Sequence, residues 1–572
     1  MTGHRFSTGW TPGQTVYFVA RFSEPFESAL LISGDGEIAK DAQEITSANP
    51  DEPVRALLSW QDLRENTLLV KVGISSVSAE GALKNLDTEN PGWDFEAIRE
   101  QAGETWNKVL NHVLIKSDNT ALKRTFYTAL YHSYIAPNLY SDADGYFNNT
   151  RNEKQKADGH NMYYTFSLWD TFRAWHPLMT IVEPEKVREF IKALFVHYED
   201  YGLLPKWNLW GNETYCMIGY HSVPVIVDAW FKGLVDEADA DALYDAMISA
   251  ATGRDQTKRY EGLDLYIEYG YMPEDIVRTW WEDGSSHSQS ASQTMEWAYD
   301  DWCIAQMAKD LGREADYETY MNRSGSIKNL FDPETRLIRP RNSDGSWVTP
   351  FDPGSARHGN GFTEGNSWQY SWFYPHNVYE FIELMGGPEV FAARLDTLFE
   401  HLSADDIQFH DVTGLIGQYA HGNEPSHHIA YLYNYVGQPW KTQERVTEIM
   451  NTMYTDQRDG LCGNEDCGQM SAWYVFSAMG LYPVNPCGCV YVFGRPFFED
   501  ITIQLESGAS INIRSENFSD ENAYVQQVIV NGKEHQNFWI SHEELISGCE
   551  IRFIMGDQPN QKLWTDSAGS PI

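Results

Sequence analysis

Cysteine is scarce in this chain, with 7 in 572 residues. An odd, sparse set excludes a disulfide-dense scaffold. Cys462 and Cys467 flank a short loop, Cys487 and Cys489 are one residue apart, and neither spacing is a Cys-x-x-Cys zinc or redox motif. Free buried thiols are the expectation. Long apolar runs are also missing. No stretch approaches the ~18 consecutive apolar residues of a membrane span, so no membrane insertion is expected. The opening residues, Met1 to Gln14, contain no apolar core of a signal peptide. Positive charge is the third deficit: Lys and Arg total 42 against 82 Asp and Glu, a formal charge of −40. Such a balance opposes phosphate backbones and anionic membrane surfaces, so nucleic acid is excluded as a partner class. Also absent are a phosphate-binding loop with Lys-Ser/Thr, a Gly-x-Ser-x-Gly elbow and a His-Glu-x-x-His helix.

Aromatic residues are abundant, at 14% of the chain, and the hydrophobic fraction of 42% is that of a folded protein. Three regions differ in period. Residues 1–90 read as β, with Val16–Phe22 and Leu68–Ile74 as strands. Residues 91–117 read as a linker turning helical after the breaker Asn90-Pro91-Gly92. From 118 to 485 helical periods dominate, in segments such as Ala121–Tyr134, Pro184–Tyr198, Val223–Val235, Asp239–Ala251, Trp297–Leu311, His376–Leu384, Val390–Leu402, His428–Val436 and Lys441–Met453. Paired helices over this length without a visible sequence repeat predict a closed helical barrel with its loops gathered at one end. In 486–572 the period returns to two, with Asn531-Gly532 as a hairpin signal, predicting a small β domain.

Five loops of the helical region share one composition. They are Ser167–Thr171, Leu204–Thr214, Thr363–Tyr370, His421–His428 and Gly463–Gln469, each combining a carboxylate with Trp, Asn, Gln or His. Aromatic faces stack on pyranose C–H faces, amides and carboxylates bind sugar hydroxyls, and two carboxylates flanking a glycosidic oxygen can run acid/base hydrolysis. Carbohydrate is therefore the predicted ligand class. His427-His428 is a poor zinc pair, since adjacent residues on a helix point about 100° apart. Asn423, Glu424, Glu465 and Asp466 suit a hard, oxygen-loving cation better.

The most specific of these segments, Ser167–Thr171, Leu204–Thr214, Glu364–Tyr370, Gly422–His428 and Gly463–Tyr474, in this order, resemble glycoside hydrolase family 92, the calcium-dependent exo-acting α-mannosidases. The resemblance runs from about Gly3 to Asn560. It implies a mainly α protein with β domains: an (α/α)6 barrel preceded by a partial β-sandwich and followed by a small β domain. It implies removal of terminal α-linked mannose from an N-glycan or mannan, with inversion, and a periplasmic or extracellular location. Carried over, Glu364 is the general acid and Asp466 the general base. Asp170, Trp169, Trp207, Asn212, Glu213 and His421 are the expected sugar contacts, and Asn423, Glu424 and Asp466 the expected Ca2+ ligands. Complete members begin earlier, so the chain is expected to enter the N-terminal sandwich partway, without a His/Ser/Gly-rich loop that serves the family's active site. Gly422 after His421 departs from the Glu of α-1,2-selective members, and Asn464 replaces a second Asp beside the base. Retention of Glu364 argues against the family's phosphodiester-cleaving branch. The competing readings are a glucosidase or trehalase on the same barrel, and a non-catalytic sugar-binding fragment.

Overall fold

The computed structural model describes residues 1–39, 42–47, 49, 52–61, 63, 66–157, 159–253, 261–276, 288–356, 359–401 and 412–565. The expected helix Val390–Leu402 runs one residue past the described segment, and the end of the C-terminal tail lies outside it. The chain divides into two compact units. One comprises 1–107, 138–164 and 208–214, and the other 108–137, 165–207 and 215–572.

The first unit carries two three-stranded antiparallel sheets. In one, Gln14–Phe22 lies between Thr2–Ser7 and Val70–Ser75. In the other, Ser28–Ile32 lies between Ile38–Ala39 and Arg55–Ser59. Alternation in Val70–Ser75 sends Lys71, Gly73 and Ser75 to a covered face. The helix Ala79–Glu89 lies on that face, with Val19, Ala82 and Leu86 forming the contact. Gly73 is required there, because a Cβ at this position would stand 2.2 Å from the Ala82 carbonyl oxygen. Buried Lys71 donates to the carbonyls of Asn90, Pro91 and Gly92 just past the helix, a placement its C-terminal dipole favours. The opposite face shows Val70, Val72 and Ile74 at 52%, 55% and 62% exposure.

The second unit is built on helices. Thr120–His132, Trp175–Val182, Pro184–Tyr201, Ser222–Phe231, Ala240–Thr252, Ser290–Asp310, Val378–Met385, Pro388–Glu400, Pro439–Met453 and Gln469–Met479 are its principal ones. Trp175–Val182 packs on Pro184–Tyr201, which packs on Ser222–Phe231; Ser222–Phe231 and Ala240–Thr252 pack on Ser290–Asp310, Val378–Met385 packs on Pro388–Glu400, and Gln469–Met479 packs on both Thr120–His132 and Trp175–Val182. The expected segments appear with shifts at their ends. Ile429–Val436 is a 3-10 helix, and Gln469–Met479 lacks an amphipathic period because all eleven residues are buried. Ser290–Asp310 buries Glu296, Asp300 and Asp301 among its apolar residues.

The C-terminal strands form one six-stranded sheet in the order Lys533–Glu534, Tyr524–Val530, Glu550–Gly556, Ser510–Glu516, Asp500–Gln504 and Val113–Lys116. Asn531-Gly532 makes the expected hairpin turn, with φ of 49° and 77° and Val530 paired to Lys533. The last strand, Val113–Lys116, comes from the stretch read as linker and pairs with Asp500–Gln504. Before it, the helix Phe95–Leu110 buries none of its residues. All seven cysteines are free thiols, but only Cys303, Cys487 and Cys549 are buried; Cys216, Cys462, Cys467 and Cys489 are half-buried. Among the described residues no helix is long and apolar enough to cross a membrane.

Candidate active site

Three of the predicted carboxylates converge. Asp170, Glu424 and Asp466 each offer an oxygen within 4.8 Å of the other two. Asp170 sits on the short helical turn Leu168–Thr171, Glu424 opens the 3-10 turn Glu424–Ser426, and Asp466 precedes the helix Gln469–Met479. Asp466, Cys467 and Gly468 all have positive φ, at 50°, 57° and 94°, so the chain reverses sharply before that helix. For residues other than glycine this conformation carries strain and is held by its surroundings. The surroundings here are explicit. Gln469 accepts from the backbone N–H of Ala174 and Trp175, both at 3.0 Å, which docks the turn bearing Asp170 against the segment bearing Asp466. A Cβ on Gly468 would stand 2.7 Å from the Trp175 ring, so glycine is needed at this approach.

Two of the three carboxylates, Asp170 and Glu424, are poorly satisfied. Ser167 donates to one oxygen of Asp170, while the other has no hydrogen-bond partner among the described residues. Glu424 is completely buried, and neither of its oxygens has one. Burial first, then the charge of Asp466, raises Asp170 well above the ordinary carboxylate range. Burial, then Asp170 and Asp466, does the same to Glu424. Buried acids at this spacing repel one another unless protonated or bridged by a cation. An all-oxygen donor set of this kind fits Ca2+ rather than zinc.

Neighbouring Glu465 and Asp466 diverge. The Glu465 carboxylate accepts from Ser471 Oγ and the Ser471 N–H and contacts His132 Nδ1 at 2.9 Å, so Asp466 is the one left in the cluster. Glu364 stands on the loop before the helix Ser367–Tyr370, with φ of 46°. A reciprocal capping box between Asn366 and Gln369 holds the following turn. The Asn423 side-chain amide donates to the Glu364 carbonyl at 2.6 Å, so this residue reaches the loop of Glu364.

The other expected contacts are distributed unevenly. Trp169, the neighbour of Asp170 in the chain, is buried, with the Arg173 guanidinium 5.3 Å from its ring centre. Trp207 is buried in the second unit. Asn212 and Glu213 belong to the first unit. Asn212 donates to the Gly13 carbonyl, and Glu213 is buried opposite Asn208 in a hairpin. His421 is fully buried with both ring nitrogens engaged, by Tyr419 and Tyr454 hydroxyls at 2.8 and 2.7 Å. Burial holds it neutral, with its pKa well below the usual histidine range. His427 and His428 bond to the carbonyls of His421 and Trp372, so the pair shares no ligand position.

One supporting network was not singled out in the sequence. Arg173 donates to the Trp169 carbonyl at 3.1 Å and to Glu296 at 2.9 Å. Glu296 lies 3.2 Å from His221 Nε2, whose Nδ1 is 2.9 Å from Asp300. Burial opposes charge on His221, but Asp300 and Glu296 outweigh it and lift the imidazole to about 9. Polar residues interrupting the apolar helix Ser290–Asp310 were the signal that could have marked this network.

The chain as a whole is similar to known proteins. The model of the glycosyl hydrolase family 92 catalytic domain matches residues 81–557. A family GH92 alpha-mannosidase from Bacteroides thetaiotaomicron is 37% identical, with all of this chain and 75% of that one covered; TM-scores are 0.89 for one structure and 0.90 for its complex with mannoimidazole. A family GH92 inverting mannosidase from the same organism is 31% identical over all of this chain and 77% of its own, with a TM-score of 0.85. An uncharacterized secreted glycosidase from Arthroderma benhamiae is 29% identical over 85% of this chain. The chain spans 60% of the length of that relative. The architecture is thus a helical barrel with small β-rich domains, and the chain belongs to glycosyl hydrolase family 92.

Proposed function

We propose that this protein is an exo-acting α-mannosidase that hydrolyses terminal α-linked mannose of N-glycans or mannans outside the cytoplasm, with inversion. The observation that carries this reading is the convergence of buried Asp170 and Glu424 with half-buried Asp466 in a chain of this family. Glu364 is the general acid: it carries a proton and delivers it to the departing glycosidic oxygen. Asp466 is the general base: it takes a proton from the water that attacks the anomeric carbon on the opposite face. An inverting pair needs roughly 6.5–9.5 Å between carboxyls to admit that water. Asp170 binds sugar hydroxyls from the floor of the site, beside Trp169 and with Trp207 as an apolar wall. Asp170, Glu424 and Asp466 would hold Ca2+, which when bound supplies positive charge that orients sugar hydroxyls and favours a flattened ring. Buried Arg173 lowers the repulsion felt by Asp170 and Glu424, as a bound cation would.

The test is hydrolysis of mannobiosides and aryl mannosides followed by NMR, with Ca2+ and after chelation. First-formed β-mannose, lost in excess EDTA and restored by Ca2+, is expected. Full activity after chelation sinks the calcium assignment. Turnover of glucosides without mannosides sinks the substrate. Glu364→Gln is expected to lose most activity on mannobiosides and little on aryl mannosides with good leaving groups.

A further inference from the structure

We propose that Asn423 is a positioning residue for Glu364, fixing the backbone from which the general acid projects; this rests on the reading of Glu364 as that acid. Asn423 occupies the N-cap position of the turn Glu424–Ser426, with an extended backbone of φ −135° and ψ 133°. An Asn here ordinarily caps the turn with its own side chain. Asn423 makes no such bond. Its amide nitrogen instead reaches across 59 residues to the Glu364 carbonyl at 2.6 Å.

Glu364 needs this support. Its φ of 46° is left-handed, a conformation a side chain with a Cβ adopts only when its neighbours impose it. The rest of its loop is pinned from other directions. Asn360 donates to the Gly365 carbonyl at 2.9 Å, and the Thr363 N–H donates to Ser292 Oγ at 2.9 Å. The Thr363 hydroxyl donates to Gln289 at 2.7 Å. The tie to Glu364's own carbonyl comes from Asn423. The next residue, Glu424, belongs to the carboxylate cluster. The dipeptide Asn423-Glu424 therefore links the loop of the acid directly to the cluster, and sets the acid's position relative to it. General acid catalysis is sensitive to this, since a misplacement of about 1 Å can reduce rate by about 10²-fold.

The experiment compares two substrates within each variant. Asn423→Ala and the near-isosteric Asn423→Asp both remove the donor. Each should lower kcat/KM for an alkyl mannoside, whose leaving group needs a proton, by about 10- to 100-fold. A dinitrophenyl mannoside should change less than about threefold under the same reasoning. Partial unfolding lowers both rates equally, so the ratio reads positioning alone. Ca2+ affinity, measured by calorimetry, should stay at the parent value, because this reading gives Asn423 to the Glu364 carbonyl and leaves Ca2+ to the three carboxylates, in place of the ligand role first expected of Asn423. Equal loss on both substrates, no loss on either, or Ca2+ binding weakened in step with activity overturns the proposal. Glu364→Gln, assayed in parallel, separates the premise from the inference. If it shows no leaving-group dependence, the acid assignment itself fails. If it does and Asn423→Ala does not, only the positioning role fails.

Discussion

Gln469 holds the backbone N–H of Trp175 on its side-chain oxygen at 3.0 Å, although the two residues are 294 positions apart. The same oxygen takes the N–H of Ala174, and the Gln469 amide nitrogen donates to His427 Nδ1 at 3.1 Å. Burial keeps His427 neutral, with its pKa lowered to about 3, so Nδ1 is available as an acceptor. One amide thus joins the three segments that carry Asp170, Glu424 and Asp466.

Gln469→Leu should therefore act on stability and site together. It leaves two buried N–H groups without an acceptor, a loss of about 2–4 kcal/mol. Chemical denaturation should show that loss. Calorimetry should show weaker Ca2+ binding, because the carboxylates are no longer held in one place.

Glu424→Gln should move calcium-free and calcium-loaded stability in opposite directions. Removing one of three mutually repelling acids, itself fully buried, stabilises the chelated protein. The same change removes a ligand, so the stabilisation by Ca2+ at about 100 times its dissociation constant, about 2.7 kcal/mol in the parent, should largely vanish. Thermal unfolding in EDTA and in Ca2+ reads both effects.

Asp466→Asn should reduce kcat by about 10²–10⁴-fold on good and poor leaving groups alike, since activation of water is needed in either case. Azide needs no base to attack. It should restore turnover of an aryl mannoside and yield the β-mannosyl azide. Absence of that product would remove Asp466 from the base role.

His221 predicts a pH dependence of folding. Its pKa is raised from the usual histidine value to about 9, so the folded state binds its proton more tightly than the unfolded chain. The resulting stability is complete below about 6.5 and is lost as pH rises through about 9. Urea denaturation across that window should show the decline. His221→Gln should flatten it and lower stability most at the acidic end, where Glu296 and Asp300 lose their charged partner.

Much of the architecture was legible because it depends on local periods. The alternation in Tyr524–Val530 and Glu550–Gly556, and the Asn531-Gly532 turn between flanking strands, are properties of a few adjacent residues. The helix Gln469–Met479 was not legible, since burial on every side erases its amphipathic period. Val113–Lys116 read as linker because a strand at the edge of a sheet takes its identity from its partner, here Asp500–Gln504, almost 400 residues later.

The candidate site divides the same way. Residue chemistry marked five carboxylate-bearing loops as suited to hydroxyls and a hard cation, and the family resemblance singled out Asp170, Glu364, Glu424 and Asp466 within them. Adjacency in sequence could not say which of Glu465 and Asp466 turns inward. The bonds from Ser471 to Glu465 decide that, together with the left-handed turn at Asp466. Nor could it separate Asn423, whose amide goes to the Glu364 carbonyl, from Glu424, whose carboxylate stands bare in the cluster. Composition and period determine which elements form and which atoms are available. Where a side chain points, and what charge it carries, depends on groups brought within a few ångströms by folding, and only the tertiary structure supplies those.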